Sequence, residues 1–258
     1  MMIASLMMYA RPQLDAAHVH FWQLIRENLA QAGIDAPENL SQSAEEFSVW
    51  KDPDLVLSQT CGMPYRTWLH AQVNLVGTPD YGLEGCPPGY YRSALVVHKD
   101  NYAWRKKIEE YDKTDDGGDI IFAYNQTFSQ SGFAAPYWHL KPRSIWFNEM
   151  YKSEGHLNSA RSVAERRTDI ASLDAMSWRL MREYEEFAQD LRVLDWTDST
   201  PGLPLITSVK HDPEVVFDAV SAAITQLTPD DQAALGIKGL VRIPKEDYLA
   251  IPNPPGSV

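Results

Sequence analysis

An apolar run, Ile120-Ile-Phe-Ala-Tyr124, is followed a few residues later by Ser129-Gln-Ser-Gly132 and then by Phe133–Leu140. The run reads as a buried strand and Phe133–Leu140 as the start of a helix, so two hydroxyls and a glycine fall on a strand-to-helix turn. The first N–H groups of a helix have no intrahelical acceptor, and the helix dipole places partial positive charge beside them. An anion fits such a turn without lysine or arginine. Taken alone, Ser-x-Ser-Gly is explained as simply by a serine capping the helix. What surrounds it decides between the two.

The same order recurs along the chain. Ile3–Tyr9 reads as a buried strand. Asp15–Ala32 reads as a helix with Ala16, Val19, Trp22, Ile25 and Leu29 toward the core and Gly33 closing it. Leu55-Val-Leu57 leads into Ser58-Gln-Thr-Cys-Gly62, and Val73–Gly77 into Thr78-Pro-Asp-Tyr81. Gly82–Gly89 is loop, Tyr91–His98 a strand, Asn101–Tyr111 a polar helix and Asp115–Gly118 a turn. Further strands are expected over Arg143–Tyr151, Asp169–Leu173, Leu191–Trp196 and Leu205–Val209. Helices are expected over Glu154–Arg167, capped by Ser153, over Asp174–Phe187 and Pro213–Leu227, with Thr228-Pro-Asp-Asp231 capping one more.

This alternation defines an α/β protein with mixed, mostly parallel sheets covered on both faces. Ligands of open α/β sheets sit beyond the carboxyl ends of the strands. Tyr9, Ser58 with Thr60, Thr78, Ser129 with Ser131, and Asp174 all fall at such ends. These are more loops than one small site needs, unless two sheets share a ligand cleft.

Charge narrows the function. The formal net charge of −12, with no basic block to offset it, disfavours binding a nucleic-acid backbone. No run approaches the roughly 20 apolar residues of a membrane span. Histidines and cysteines are too scattered for a zinc site, and no cofactor or metal is expected. Met1–Ala10 is apolar without a basic segment and reads as a first strand, not a signal peptide. The chain is therefore expected to work in the cytoplasm, or in the periplasm after removal of a leader. Cys61 and Cys86 lie in loop-like contexts and would bridge if the protein is exported.

Four segments carry a family likeness: Ile3–Arg11 with Tyr9, Leu55–Gly62, Ser129-Gln-Ser-Gly132 with Pro136, and Gly155-His156 through Asp169–Asp174. In their order and spacing the chain resembles the phosphate/phosphite/phosphonate-binding proteins of ABC importers, a branch of the two-lobed, type II periplasmic binding proteins. The resemblance implies that Ser129, Ser131 and Gly132 grip an anion, that His156 is a cleft histidine, and that Asp174 is the polar residue after the Asp-Ile-Ala strand. It implies a facing wall of Tyr9, Ser58, Thr60 and Tyr81, and an ABC permease as partner. Gln130 stands where many phosphonate binders have threonine, and Glu154 where the family often has a small residue.

On that basis the lobes are residues 1–92 plus 199–258 and residues 93–198, with crossing hinges at Tyr91–Val97 and Leu194–Pro204. The expected function is capture of a small oxyanion in the interlobe cleft, without bond breaking. Simpler roles compete at each position: caps at Ser129, Ser131 and Asp174, packing at Tyr9 and Tyr81, and a solvated or capping histidine at His156. Two other functions stay open. One is a sensor of another small ligand, such as a thiamine-precursor pyrimidine. The other is an enzyme with Cys61 or Ser129 as nucleophile and His156 as base.

Overall fold

The computed structural model describes residues 2–101 and 120–257. In chain order the first elements are β1 (Ile3–Ser5), α1 (Asp15–Gln31), α2 (Glu46–Trp50), β2 (Leu55–Gln59) and α3 (Gly62–Pro64, continued by a π-helical turn over Tyr65–Leu69). Next come β3 (Val73–Asp80), β4 (Tyr90–Tyr91), β5 (Ser93–His98) and β6 (Ile121–Tyr124). A π-helical turn over Gln130–Ala134 opens α4 (Ala135–Leu140), and β7 (Glu149–Lys152), α5 (His156–Ala164), β8 (Ile170–Asp174) and α6 (Ala175–Tyr184) follow. The last are β9 (Leu191–Trp196), β10 (Thr200–Pro201), β11 (Leu205–Ser208), α7 (Pro213–Gln226), α8 (Pro229–Leu235), β12 (Gly239–Val241) and α9 (Lys245–Leu249).

The chain forms two compact units: Met1–Tyr90 with Pro201–Ile251, and Tyr91–Thr200 with Pro252–Val258. In the first, the sheet order is β1-β2-β11-β3-β12. One face is covered by α1 and α7, where Phe21, Trp22, Ile25 and Leu29 meet Val216, Val220, Ala223 and Ile224. On the other face Val49, Trp50, Leu55, Tyr65, Leu69 and Tyr248 pack together. In the second unit the order is β7-β6-β8-β5-β9. Ala94, Val96, Ala171 and Leu173 face Val163, Trp178 and Met181 on one side. Leu95, Val97, Phe122 and Ile170 face Leu140, Ile145 and Phe147 on the other.

Both sheets are mixed, but parallel pairing does not prevail. Among the described residues of these two sheets it is confined to β1 with β2 and to β6 with β7 and β8. The strand that enters each unit after a crossing, β5 after Tyr91 and β11 after Pro201, runs against both of its neighbours.

Several local expectations are corrected. On α1 the buried stripe is Ala17, His18, Phe21, Trp22, Ile25 and Leu29, while Val19 is 64% exposed. At 3.6 residues per turn Ala16 lies opposite Ile25, and Val19 falls to its side. The strand expected over Arg143–Tyr151 begins only at Glu149, because Lys141–Arg143 form a 3-10 turn and Ser144 turns left-handed (φ 56°). The helix expected from Glu154 starts at His156, since Glu154 has φ 67° and Gly155 is extended. Ser153 does not cap it; its hydroxyl lies 3.1 Å from Tyr124 O and 2.6 Å from Ser159 Oγ. The helix expected over Asn101–Tyr111, after its first residue, and the Asp115–Gly118 turn lie outside the described residues.

Candidate functional site

In the second unit the parallel strands β6 and β8 end at the same side of the sheet, and the candidate residues gather there. After β6 the chain turns through Ser129, which is extended (φ −86°, ψ 126°), into the π-helical turn. The wide winding is seen directly: Ser129 O accepts from both Phe133 N (3.2 Å) and Ala134 N (3.0 Å). Single π turns inside α-helices are frequent at functional sites. Ser129 Oγ accepts from Gly132 N at 3.0 Å, so Ser129 is the helix cap. Gly132 is required here for space, since a Cβ at this position would lie 1.9 Å from Asn125 Oδ1.

Ser131 does different work. Its Oγ lies 3.0 Å from His156 Nε2, at the start of α5, and its carbonyl accepts from Ser172 Oγ at 2.7 Å. His156 Nδ1 is buried and has no hydrogen-bond partner among the described residues. Burial pushes the imidazole down from 6.5 to about 4, against a smaller upward pull from the Ser172 backbone, so the ring is neutral at pH 7. The tautomer sets the direction of this bond: a ring protonated on Nε2 donates to Ser131 and leaves the serine proton for an acceptor, whereas a ring protonated on Nδ1 accepts that proton. Asp174 ends β8, is 2% exposed, and caps α6 by accepting from Ser177 N at 2.8 Å. Ser129, Ser131, Gly132, His156 and Asp174 thus share one end of one sheet.

The remaining candidates belong to the first unit. Tyr9 and Tyr81 are half-buried and meet edge to face, with ring centroids 5.2 Å apart. Gln59 holds Tyr81 by donating to its hydroxyl at 3.2 Å and to Leu203 O at 3.1 Å. Ser58 and Thr60 are 0% exposed, and their hydroxyls donate to the carbonyls of Gln59 and Cys61 at a long 3.4 Å. Thr78 is occupied by Tyr248, its Oγ1 lying 2.6 Å from the tyrosine hydroxyl. The conditional Cys61–Cys86 bridge is not formed: both residues are thiols, Cys61 buried and Cys86 half-buried. Among the described residues no group of three His, Cys, Asp or Glu is placed to hold a metal ion, and no helix is long and apolar enough to cross a membrane.

Sequence reasoning passed over three residues. Asn125 fills the space beside Gly132, and Ser172 holds the Ser131 carbonyl. Arg92, immediately before β5, lays its guanidinium on the Trp196 ring, 4.3 Å from Cζ to centroid. Only Arg92 gave a signal in the sequence, as a charge inside an apolar strand segment.

Two α/β units with five-stranded mixed sheets, and hydroxyl-bearing turns at strand ends, define the two-lobed type II periplasmic-binding-protein fold. Solved structures agree. PhnD1 from Prochlorococcus marinus (MIT 9301), in complex with methylphosphonate, superposes with a TM-score of 0.69 at 12% identity, over 96% of this chain and 94% of that one. A binding protein component of an ABC phosphonate transporter from Pseudomonas aeruginosa gives 0.67 at 16% identity, over 97% and 83%. A Xanthomonas citri protein bound to chloride ion gives 0.65 at 13%, over 95% and 92%. At these identities the likeness establishes the fold. The family follows from sequence: the profile of the periplasmic phosphonate substrate-binding proteins of ABC transporters matches residues 61–248, and the chain belongs to that family. No curated protein sequence matches it.

Proposed function

We propose that the chain captures a small phosphorus oxyanion, a phosphate, phosphite or phosphonate, and passes it to an ABC permease. The observation that carries this is the Ser129–Gly132 turn: a π-wound helix start with Ser131 held against a neutral His156, and with neither lysine nor arginine in the turn itself. Such a turn offers hydroxyls, N–H groups and the positive end of a dipole. In the second unit the ligand-contacting set is Ser129, Ser131, Gly132, His156 and Asp174; in the first it is Tyr9, Ser58, Thr60 and Tyr81. The unit of residues 1–90 with 201–251 acts as one lobe and that of 91–200 with 252–258 as the other, which moves Tyr91, Arg92 and the C-terminal tail out of the lobe expected from sequence, and the two chain crossings act as hinges. The place of work is the periplasm, in keeping with the family.

We read this as binding without turnover. Catalysis by a Ser–His pair needs a third group to orient the base. No carboxylate meets the His156 ring among the described residues. A ring with a pKa of about 4 is also a weak base at pH 7.

The test is a melting-temperature screen over phosphate, phosphite, methylphosphonate, 2-aminoethylphosphonate, sulfate and thiamine precursors. A ligand at a hundredfold over its Kd stabilises the folded state by about 2.7 kcal/mol. A shift with one or more phosphorus oxyanions supports the assignment. A shift with a pyrimidine alone, or with none of the compounds, overturns it.

A further inference from the structure

We propose that Arg92 reads the far end of the ligand and selects a phosphonate that carries a second anionic group, such as a terminal carboxylate. This rests on the proposed phosphonate capture at the Ser129–Gly132 turn. The chain has 35 acidic residues against 23 lysines and arginines, so an arginine there ordinarily has a carboxylate within reach. Arg92 has none among the described residues. Its guanidinium lies on the face of Trp196, and its Nε is buried without a hydrogen-bond partner among the described residues. A buried donor without a partner is costly, and a guanidinium laid on an indole is fixed in orientation. What is missing is an oxygen pair to meet the fork.

Its place in the sheet gives the direction. Arg92 O accepts from Ala175 N at 3.1 Å, and the next residue, Ser93, stands opposite Asp174 in the β5–β8 ladder. Trp196 is opposite Ala94 on the other flank of β5. Arg92 therefore lies at the end of the sheet where β6 and β8 finish, and the strand order β6-β8-β5 puts it two strands from the anion turn. At the usual strand spacing this is about 10 Å. A ligand whose phosphonate sits at the turn and whose chain runs across β8 brings its other end to the guanidinium. An amine at that end would meet a like charge.

The experiment is calorimetric titration of the whole chain with three sets of ligands. These are methylphosphonate, a series of ω-phosphonoalkanoates of increasing length, and the matching ω-aminoalkylphosphonates. Wild type is expected to prefer one phosphonoalkanoate over methylphosphonate by roughly tenfold or more. Arg92→Met keeps the stem on Trp196 but removes the fork, and is expected to erase that preference while leaving methylphosphonate affinity unchanged. Arg92→Lys, which keeps the charge, is expected to retain part of it. If the aminoalkylphosphonates bind better, or if Arg92→Met keeps the carboxylate preference, the role of Arg92 is refuted. Methylphosphonate binding that still depends on Ser131 would then leave the proposed function standing. Absence of binding by every phosphonate overturns both.

Discussion

Ser129 and Ser131 differ by two residues and are expected to fail in different ways. Ser129 accepts from Gly132 N and caps the helix, so Ser129→Ala mainly costs stability, about 1 kcal/mol. For a chain of this length that lowers Tm by roughly 2–4 °C. Ser131 bonds to the His156 ring and, with the ring proton on Nε2, keeps its own proton for the anion. A hydrogen bond to a charged group contributes about 1.5–3 kcal/mol, so Ser131→Ala is expected to weaken binding roughly 10- to 150-fold. It also strands His156 Nε2, and an unsatisfied buried group costs about 1–3 kcal/mol of stability. Both variants thus melt lower without ligand, and the larger loss of affinity is expected in Ser131→Ala. Calorimetry with the tightest phosphorus oxyanion, beside melts of ligand-free protein, reads the two effects independently. Unchanged affinity in Ser131→Ala would show that this serine only pairs with His156 and that the anion assignment is wrong.

Three further outcomes follow from the same end of the sheet. Gly132→Ala should cost about 1–3 kcal/mol, because its Cβ must displace Asn125 Oδ1 from 1.9 Å, and adding Asn125→Ala should recover part of the loss. His156 has a folded pKa of about 4 against 6.5, so the unfolded state takes up its proton first as pH falls. Its stabilisation is full above pH 6.5 and is lost between pH 6.5 and 4, by roughly 3 kcal/mol in all. Denaturant titrations of His156→Gln should have a flatter pH profile over that window, and an identical profile would refute burial as the cause. Asp174→Asn keeps a good cap while removing the charge, so the stability should hold. The wild type is expected to reject sulfate, which brings no proton for the carboxylate to accept, and the variant to narrow the gap between sulfate and a protonated phosphorus oxyanion. An unchanged ratio would leave Asp174 as a cap alone.

The fold was legible because its signals are local. Strand, hydroxyl turn and helix at Ile121–Leu140 are periodic and punctuated, and so are Ile170–Tyr184 and Asp212–Gln226. Where backbone conformation overrides pattern, pattern misled. Glu154, at φ 67°, delays α5 by two residues, and Ser144, at φ 56°, releases Ile145 and Phe147 into the core without making them a strand. Strand direction was not legible either, since β5 and β11 take theirs from where the chain enters each unit. At the candidate site the residue types were readable but their partners were not. Nothing in Ser129-Gln-Ser-Gly132 says which serine caps, because that depends on His156, 25 residues beyond Ser131. Arg92 was passed over for the same reason: its meaning lies in the carboxylate that is not beside it.

The charges at this end of the second unit set what kind of selectivity it can have. With a net charge of −12, the chain's long-range field opposes the approach of any anion, so capture cannot depend on electrostatic steering. The turn adds no cation, His156 is neutral, and Asp174 contributes a carboxylate. What remains attractive is short-ranged: hydroxyls, N–H groups and a dipole end, all effective only within hydrogen-bond distance. Such a site distinguishes oxyanions by where their protons and oxygens lie, since bulk charge earns nothing from it. Arg92, which has no carboxylate partner among the described residues, stands about two strands away, where it meets a second group of the ligand and leaves the first to the neutral donors. Raising ionic strength should accordingly weaken binding of a two-headed ligand more than that of methylphosphonate, because only the former uses a full charge.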